Sequence, residues 1–467
     1  MKKLAIVYGE ISNSVQRKAI EVLSQTILDY TMEFPICLKY EKGTDYSKYK
    51  CVYIGTKENN EYIKEISQIE NIGTEGYSIK VQNGVAIIEG ADDAGALYGS
   101  LDFYNKYIVD FEYTDNDKCY IMNPFEGETL PDYSFYSSPA IKNRGIWTWG
   151  HVIYNYKGFF DNMMKLKMNT VIIWNDFVPF NAKDIINYAH SLNIKVIFGF
   201  SWLWDVDCAR VDLKNLDGYS RTIFQKYENE YAQLGLDGIY FQSFTELHTE
   251  EIGDVLIADA VTDFVNKTSK LFFDKYPELE LQFGLHASSV KQRLNYIKNV
   301  DKRVRIVWED CGAFPFSYIP NDISAFDETI KLTEKIACLR GADDRFGVVT
   351  KGLTKLDWSA FEHPEGSQNI GTSTEFFKQN RIARKAKIWK YLQAYWLTNG
   401  GKAHDMVKLM NKIKKGDLYI TALIEDGMFE EKMMFPAVLF SEMLWDCHSE
   451  TNEIINQVAL RNYVDFA

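Results

Sequence analysis

Hydrophobic positions along the chain fall into two regimes. Over residues 1 to about 133 they describe a small α/β unit. "KLAIVYG" and "KCVYIGT" are short buried-strand runs, and "SVQRKAIEVLSQTILDYT" between them repeats its apolar positions at helical spacing. Two alternating runs then flank Asn83-Gly84, a dipeptide that fits a two-residue hairpin. The stretch from Asp92 to Ile108 returns to helical period behind an Asp start.

From about Pro131 the rhythm changes. Strand-like runs alternate regularly with helical ones: "RGIWTWG", "NTVIIWND", "KVIFGFSW", "DGIYFQSF", "LQFGLHAS", "VRIVWEDCG" and "FGVVTKG". Segments such as "YKGFFDNMMKLKM", "NAKDIINYAHSLNI" and "VLIADAVTDFVNKTSKLFFDKY" supply the helices between them. Such βα repetition implies parallel strands joined by helical crossovers. The expected fold is α/β: a (β/α)8 TIM barrel preceded by a small α/β domain, with a helical C-terminal segment. The eighth strand is not evident between residues 352 and 430. A doubly wound open sheet is the competing architecture, but no strand leads into a Gly-rich phosphate loop. The expected domains are 1–133 and 134–467.

The 467 residues are too many for one ordinary core, in line with two domains. A formal net charge of −13 argues against nucleic acid or an anionic membrane as partner, because both require a basic surface. No run approaches the roughly 20 apolar residues of a membrane span. The opening "MKKLAIVYGE" has too short an apolar run for a secretory leader, and reads as a first strand, which points to a cytoplasmic location. Seven cysteines lie far apart without a CxxC pair, as expected of free thiols in a reducing compartment.

A barrel builds its active site where its strands end. Those ends carry Trp147 and Trp149, then Trp174, Asn175 and Asp176, then Trp202 and Trp204. They continue with Glu246 and His248, with His286, with Trp308, Glu309 and Asp310, and with Lys351, Asp357 and Trp358. Seven of the ten tryptophans thus fall beside the candidate carboxylates. Aromatic rings pack against the C–H face of a sugar, and glycoside cleavage needs a carboxylic acid to protonate the leaving oxygen.

Glu246 is the candidate general acid, with aromatic surroundings expected to keep it protonated. Alternatively it caps the helix that follows "TELHTEE". Glu309 or Asp310 is the candidate second catalytic group, or else an acidic turn. Asn175 and Asp176 would bind hydroxyls or cap the next helix. Lys351 and Arg144 would face an anionic sugar or pair with neighbouring acids. His248 and His286 would hydrogen-bond substrate; without HxH or HxxxH spacing they make poor metal ligands, and neither metal nor cofactor is expected.

The segment "GYSIKVQNGVAIIEGADDAGALYGSLDF" resembles the N-terminal domain of glycoside hydrolase families 20, 67 and 84, "RGIWTW" their first barrel strand, and "VLFSEMLWD…ETNEIINQV" the end of family 67 α-glucuronidases. The resemblance implies Glu246 as acid. Families 20 and 84 carry an acidic pair at this point; here the pair reads Thr245-Glu246, so the residue that would orient a substrate acetamido group is missing and Asp310 or Asp176 would have to supply it. Family 67 places its base on later strands, where Glu309 stands. The expectation is an exo-acting hydrolase of an oligosaccharide or glycoconjugate, N-acetylhexosaminidase-like, with an α-glucuronidase-like enzyme as alternative. A non-catalytic sugar-binding protein on the same scaffold is the alternative of another class.

Overall fold

The structure, a computed structural model, describes residues 2–67, 72–109, 123–204, 210–247, 249–286, 289–309, 326–354, 364–461 and 464–466. The chain divides into two compact units, Met1–Pro139 with Ser191–Asn193, and Ala140–His190 with Ile194–Ala467.

The first unit is a six-stranded sheet in the order β2-β1-β3-β5-β4-β6, built from β1 (Lys3–Tyr8), β2 (Ile36–Lys39), β3 (Tyr49–Gly55), β4 (Tyr77–Gln82), β5 (Val85–Gly90) and β6 (Tyr133–Ser137). Its helices are α1 (Ser14–Thr31), α2 (Glu61–Ile66) and α3 (Asp93–Asp102). The opening residues are a strand, as read from the sequence. Asn83 and Gly84 both take positive φ, 52° and 76°, the geometry of the expected hairpin turn. Asp92 caps α3 by accepting from the Gly95 N–H. The small residues of "GAL" have a steric cause. A Cβ on Gly95 would meet the Gly76 carbonyl oxygen at 2.0 Å, so only glycine lets α3 lie so close to that turn. Strand β6 adds to β4 at the edge of this sheet, which carries the unit past residue 133.

The second unit is a closed barrel of eight parallel strands. Around the ring these are β7 (Asn143–Trp149), β8 (Thr170–Trp174), β9 (Lys195–Gly199), β10 (Gly238–Gln242), β13 (Glu280–Leu285), β14 (Val304–Glu309), β15 (Phe346–Leu353) and β16 (Leu418–Ile424). A small hairpin, β11 (Glu251–Ile252) and β12 (Val255–Leu256), interrupts the numbering. Seven strands stand where the sequence places them. The eighth is "LYITALI", reached after the 39-residue helix Glu375–Ile413. Helices Phe435–Trp445 and Thr451–Ala459 make up the helical end. Among the described residues no helix is long and apolar enough to cross a membrane, and Cys37, Cys51, Cys338 and Cys447 are free thiols.

An ionic plug fills the N-terminal end of the barrel. Arg305 is fully buried, bonds Glu280 and Asp417 at 2.6 Å each, and lies 4.0 Å from the centre of the Tyr419 ring. Position at this end reads as stability, leaving the opposite end for chemistry.

Candidate active site

Side chains alternate across a strand, so only every second residue faces the barrel interior. On β7 these are Trp147 and Trp149, on β8 Ile172 and Trp174, on β9 Ile197, and on β10 Tyr240, all in one buried cluster with Val307, Val349 and Leu423. The aromatic members form a continuous wall. Trp147 and Trp149 meet edge to face at 5.1 Å, Trp147 and Tyr240 at 5.8 Å, and Trp174 and Trp204 at 5.7 Å. Glycine at 199 makes room, because a Cβ there would lie 2.8 Å from the Trp174 ring.

Trp204 reaches this wall through a backbone reversal. Leu203 holds φ at +71°, a left-handed conformation that costs a non-glycine residue roughly 1–2 kcal/mol. The residues on either side of it consequently go separate ways. Trp204 turns back to the barrel, while Trp202 is fully buried and stacks on Phe241 at 3.6 Å and on Phe272 of helix Ile257–Lys275. Trp202 therefore belongs to the layer between strands and helices, not to the sugar-facing wall expected of it. Trp308 shares that fate: its indole N–H donates to Thr333 of helix Phe326–Ala337 at 2.9 Å. Arg144, near the start of β7, is buried against Trp445 and donates to the Ile141 and Lys142 carbonyls, so it stands away from the strand ends.

Glu309 is the polar centre. It closes β14, is 2% exposed, and among the described residues is met by four donors. Tyr240 and Gln242 both donate to Oε1. Lys351 reaches Oε2 at 2.8 Å and His286 at 3.3 Å. Burial pushes its carboxyl up, but the charges and hydrogen bonds of His286 and Lys351 outweigh burial and hold it well below the usual range. Burial and the neighbouring Glu309 push the Tyr240 phenol well up, so it remains a donor. Gly284 is what lets these groups meet. A Cβ at that position would stand 2.1 Å from the Tyr240 hydroxyl and 2.9 Å from Glu309 Oε1.

Glu246 stands at the mouth of this arrangement, four residues beyond the end of β10 and 45% exposed. Its Oε2 accepts the Trp204 indole N–H at 2.6 Å and lies 3.9 Å from His286 Nε2. His286 thus stands between Glu246 and Glu309, and Gln242 Nε2 approaches the same ring nitrogen at 3.0 Å. Of the aromatic surroundings expected for Glu246, the described residues supply the Trp204 indole, which meets the carboxyl with its N–H. Asn175 is buried and donates to the Phe177 carbonyl, and Asp176 accepts from the Trp174 indole at 3.3 Å. Asp310, His248, Asp357 and Trp358 lie outside the described residues.

Reading strand ends alone misses Tyr240 and Gln242. The signal was present: two polar-bearing side chains at alternate positions of an otherwise apolar buried strand. Among the described residues no three His, Cys, Asp or Glu side chains gather as a metal ion would require. What the site holds is a carboxylate deep in the barrel, a second carboxyl at its mouth with His286 between them, and an aromatic wall beside them.

Residues 11–103 match the family description glycosyl hydrolase family 67 N-terminus. No curated protein sequence matches the chain. Among solved structures it is similar to a GH138 enzyme targeting pectin rhamnogalacturonan II, with a TM-score of 0.56 at 11% identity, covering 97% of this chain and 65% of that one. A family GH115 4-O-methyl-α-glucuronidase with specificity for decorated arabinogalactans gives 0.56 at 13%, over 98% and 58%. A β-N-acetylhexosaminidase from Bacteroides fragilis gives 0.55 at 13%, over 100% and 93%. At these identities the likeness is one of fold. The chain thus spans less than two thirds of the first and second of these proteins. A small α/β domain followed by a TIM barrel is the plan expected from the sequence, and the neighbours that share it are glycoside hydrolases.

Proposed function

We propose that this chain is an exo-acting glycoside hydrolase that removes a terminal sugar from an oligosaccharide or glycoconjugate, with Glu246 as the general acid. The observation that carries the reading is the pairing of Glu246, held by Trp204 beside the aromatic wall, with the buried and ionised Glu309 behind His286.

The two carboxyl groups have different environments and take different roles. Glu246 commits Oε2 to the Trp204 N–H, so Oε1 is the oxygen that carries the proton to the leaving group. Glu309 has four donors on its two oxygens, which leaves it poorly suited to attack carbon or to take up a proton. Its contribution as second catalytic group is a fixed negative charge that favours the positive charge developing at the anomeric carbon. The π faces of Trp147, Trp149 and Trp174 add to that stabilisation. Attack then falls to water or to the substrate's own acetamido group, with Asp176 or Asp310 to orient it.

A neutral terminal sugar of the N-acetylhexosamine type is favoured, because Lys351 is engaged by Glu309 rather than turned toward an anionic substituent. The match of residues 11–103 to the family 67 N-terminus favours a second reading, a uronic acid substrate. Hydrolysis of 4-nitrophenyl N-acetylglucosaminide, N-acetylgalactosaminide, glucuronide and neutral glycosides, in both anomers, tests this. Release from the N-acetylhexosaminides is expected. Release confined to glucuronides selects the second reading. No release from any member, nor from short oligosaccharides, leaves the chain a sugar-binding protein.

A further inference from the structure

The loop that follows β8 carries two exposed phenylalanines, Phe177 and Phe180, the latter 77% exposed. Between them Pro179 is buried, so the loop is seated on the molecule while its rings are not. Exposed rings on a slack loop would fold back and bury themselves. This loop is not free to do so. Asn175 donates to the Phe177 carbonyl. The Phe180 N–H donates to the Gln368 carbonyl at 3.1 Å, and Asn181 makes a reciprocal pair with the Ile370 backbone at 2.9 and 3.0 Å.

The segment that receives these bonds is itself fixed. Gly371 and Ser373 donate to the Ile153 and Tyr154 carbonyls, and Tyr156 donates back to Gly371. The loops after the first, second and seventh barrel strands are thereby tied together at the C-terminal end of the barrel. Phe180 is presented on that tied rim, six residues beyond Trp174 of the interior wall.

We propose that Phe180, flanked by Phe177, forms a subsite for the sugar unit on the leaving-group side of the scissile bond. The inference rests on the hydrolase reading above. An exo-acting enzyme takes the terminal sugar into the buried wall and leaves the next unit at the rim. A pyranose there offers a C–H face to an aromatic ring, and a pre-fixed ring binds it without an ordering cost. Neither phenylalanine offers a polar group, so the subsite tolerates different hydroxyl patterns while requiring a ring.

The test compares wild type, Phe180→Ala and Phe180→Trp on two substrates of the sugar that the glycoside panel identifies: the glycosyl fluoride, whose leaving group cannot reach the rim, and the corresponding trisaccharide. Phe180→Ala is expected to raise KM for the trisaccharide roughly threefold to tenfold, to leave kcat and KM for the fluoride unchanged, and to be rescued by Phe180→Trp. Equal effects on both substrates, or none on the trisaccharide, overturn the subsite. Failure of wild type to hydrolyse the fluoride would sink the hydrolase reading instead. In that event calorimetric binding of triacetylchitotriose and of a glucuronic-acid-bearing xylotriose reads the rim directly, and equal affinity of wild type and Phe180→Ala for both overturns the proposal.

Discussion

Replacing Lys351 by methionine removes one charge from the barrel and keeps most of the side-chain volume. Lys351 Nζ stands 2.8 Å from Glu309 Oε2, and the two side chains are 8% and 2% exposed. At an effective dielectric of about 20 their attraction at that distance is about 6 kcal/mol. Desolvation offsets much of this, but removing one partner leaves the other buried and uncompensated, which costs roughly 3–5 kcal/mol. Lys351→Met is therefore expected to lower unfolding free energy by about 3–5 kcal/mol. Glu309→Gln in the same background removes the orphaned charge. The double variant should be more stable than the sum of the single losses implies, by at least about 1 kcal/mol. Urea unfolding followed by tryptophan fluorescence reports all four proteins, since Trp147, Trp149 and Trp174 surround the site. The pH dependence gives a second check. Without Lys351, burial is opposed by His286 with one charge fewer, so the folded Glu309 carboxyl is held down less than in wild type. The variant then gains stability relative to wild type as pH falls. A loss below about 1 kcal/mol for Lys351→Met, or strict additivity in the double variant, would refute the reasoning.

Gly284→Ala should destabilise the barrel by about 2 kcal/mol or more and abolish activity, because its Cβ would displace the Tyr240 hydroxyl from Glu309; chemical denaturation and kcat measured together check this. Trp204→Phe removes the N–H that holds Glu246 and should lower kcat roughly tenfold while changing stability by less than about 1 kcal/mol. Glu430 accepts the Tyr154 and Asn155 N–H groups at 2.5 and 2.7 Å, and burial pushes its carboxyl up to about 8 despite them. The folded protein thus holds this proton more tightly than the unfolded chain. The associated stability is full below the unfolded value near 4.3 and is lost as pH rises toward 8. Glu430→Gln should flatten the stability profile between pH 5 and 8 by on the order of 3 kcal/mol; an unchanged slope across that window would count against it.

Seven barrel strands were legible because each is a short apolar run set off by a helix with its own period. "LYITALI" was not, since it follows a 39-residue helix that erases the βα spacing on which the reading depended. Glu309 was legible because a charged residue ending a buried strand is conspicuous, whereas Glu246, read as a strand end, lies four residues beyond β10. Which tryptophans face the interior was harder. Glu309 points inward, so parity alone turns Trp308 outward. At Trp202 and Trp204 parity would send both rings the same way, and the left-handed Leu203 separates them. That reversal has no local signature, because leucine carries no preference for positive φ. Tyr240 and Gln242 became functional candidates only once the fold brought them against Glu309.

The central claim is that Glu246 delivers the proton. The most direct measurement is kcat/KM of wild type and Glu246→Gln across glycosides of one sugar whose leaving groups range from dinitrophenol to an alcohol. The account predicts that the variant loses roughly a hundredfold or more on the alkyl glycoside, where protonation is needed, and far less on the dinitrophenyl glycoside, where it is not. A loss that is the same for every leaving group, or no loss at all, would contradict it; a helix-cap role is no fallback, because the β11–β12 hairpin separates Glu246 from helix Ile257–Lys275, whose N-cap is Leu256.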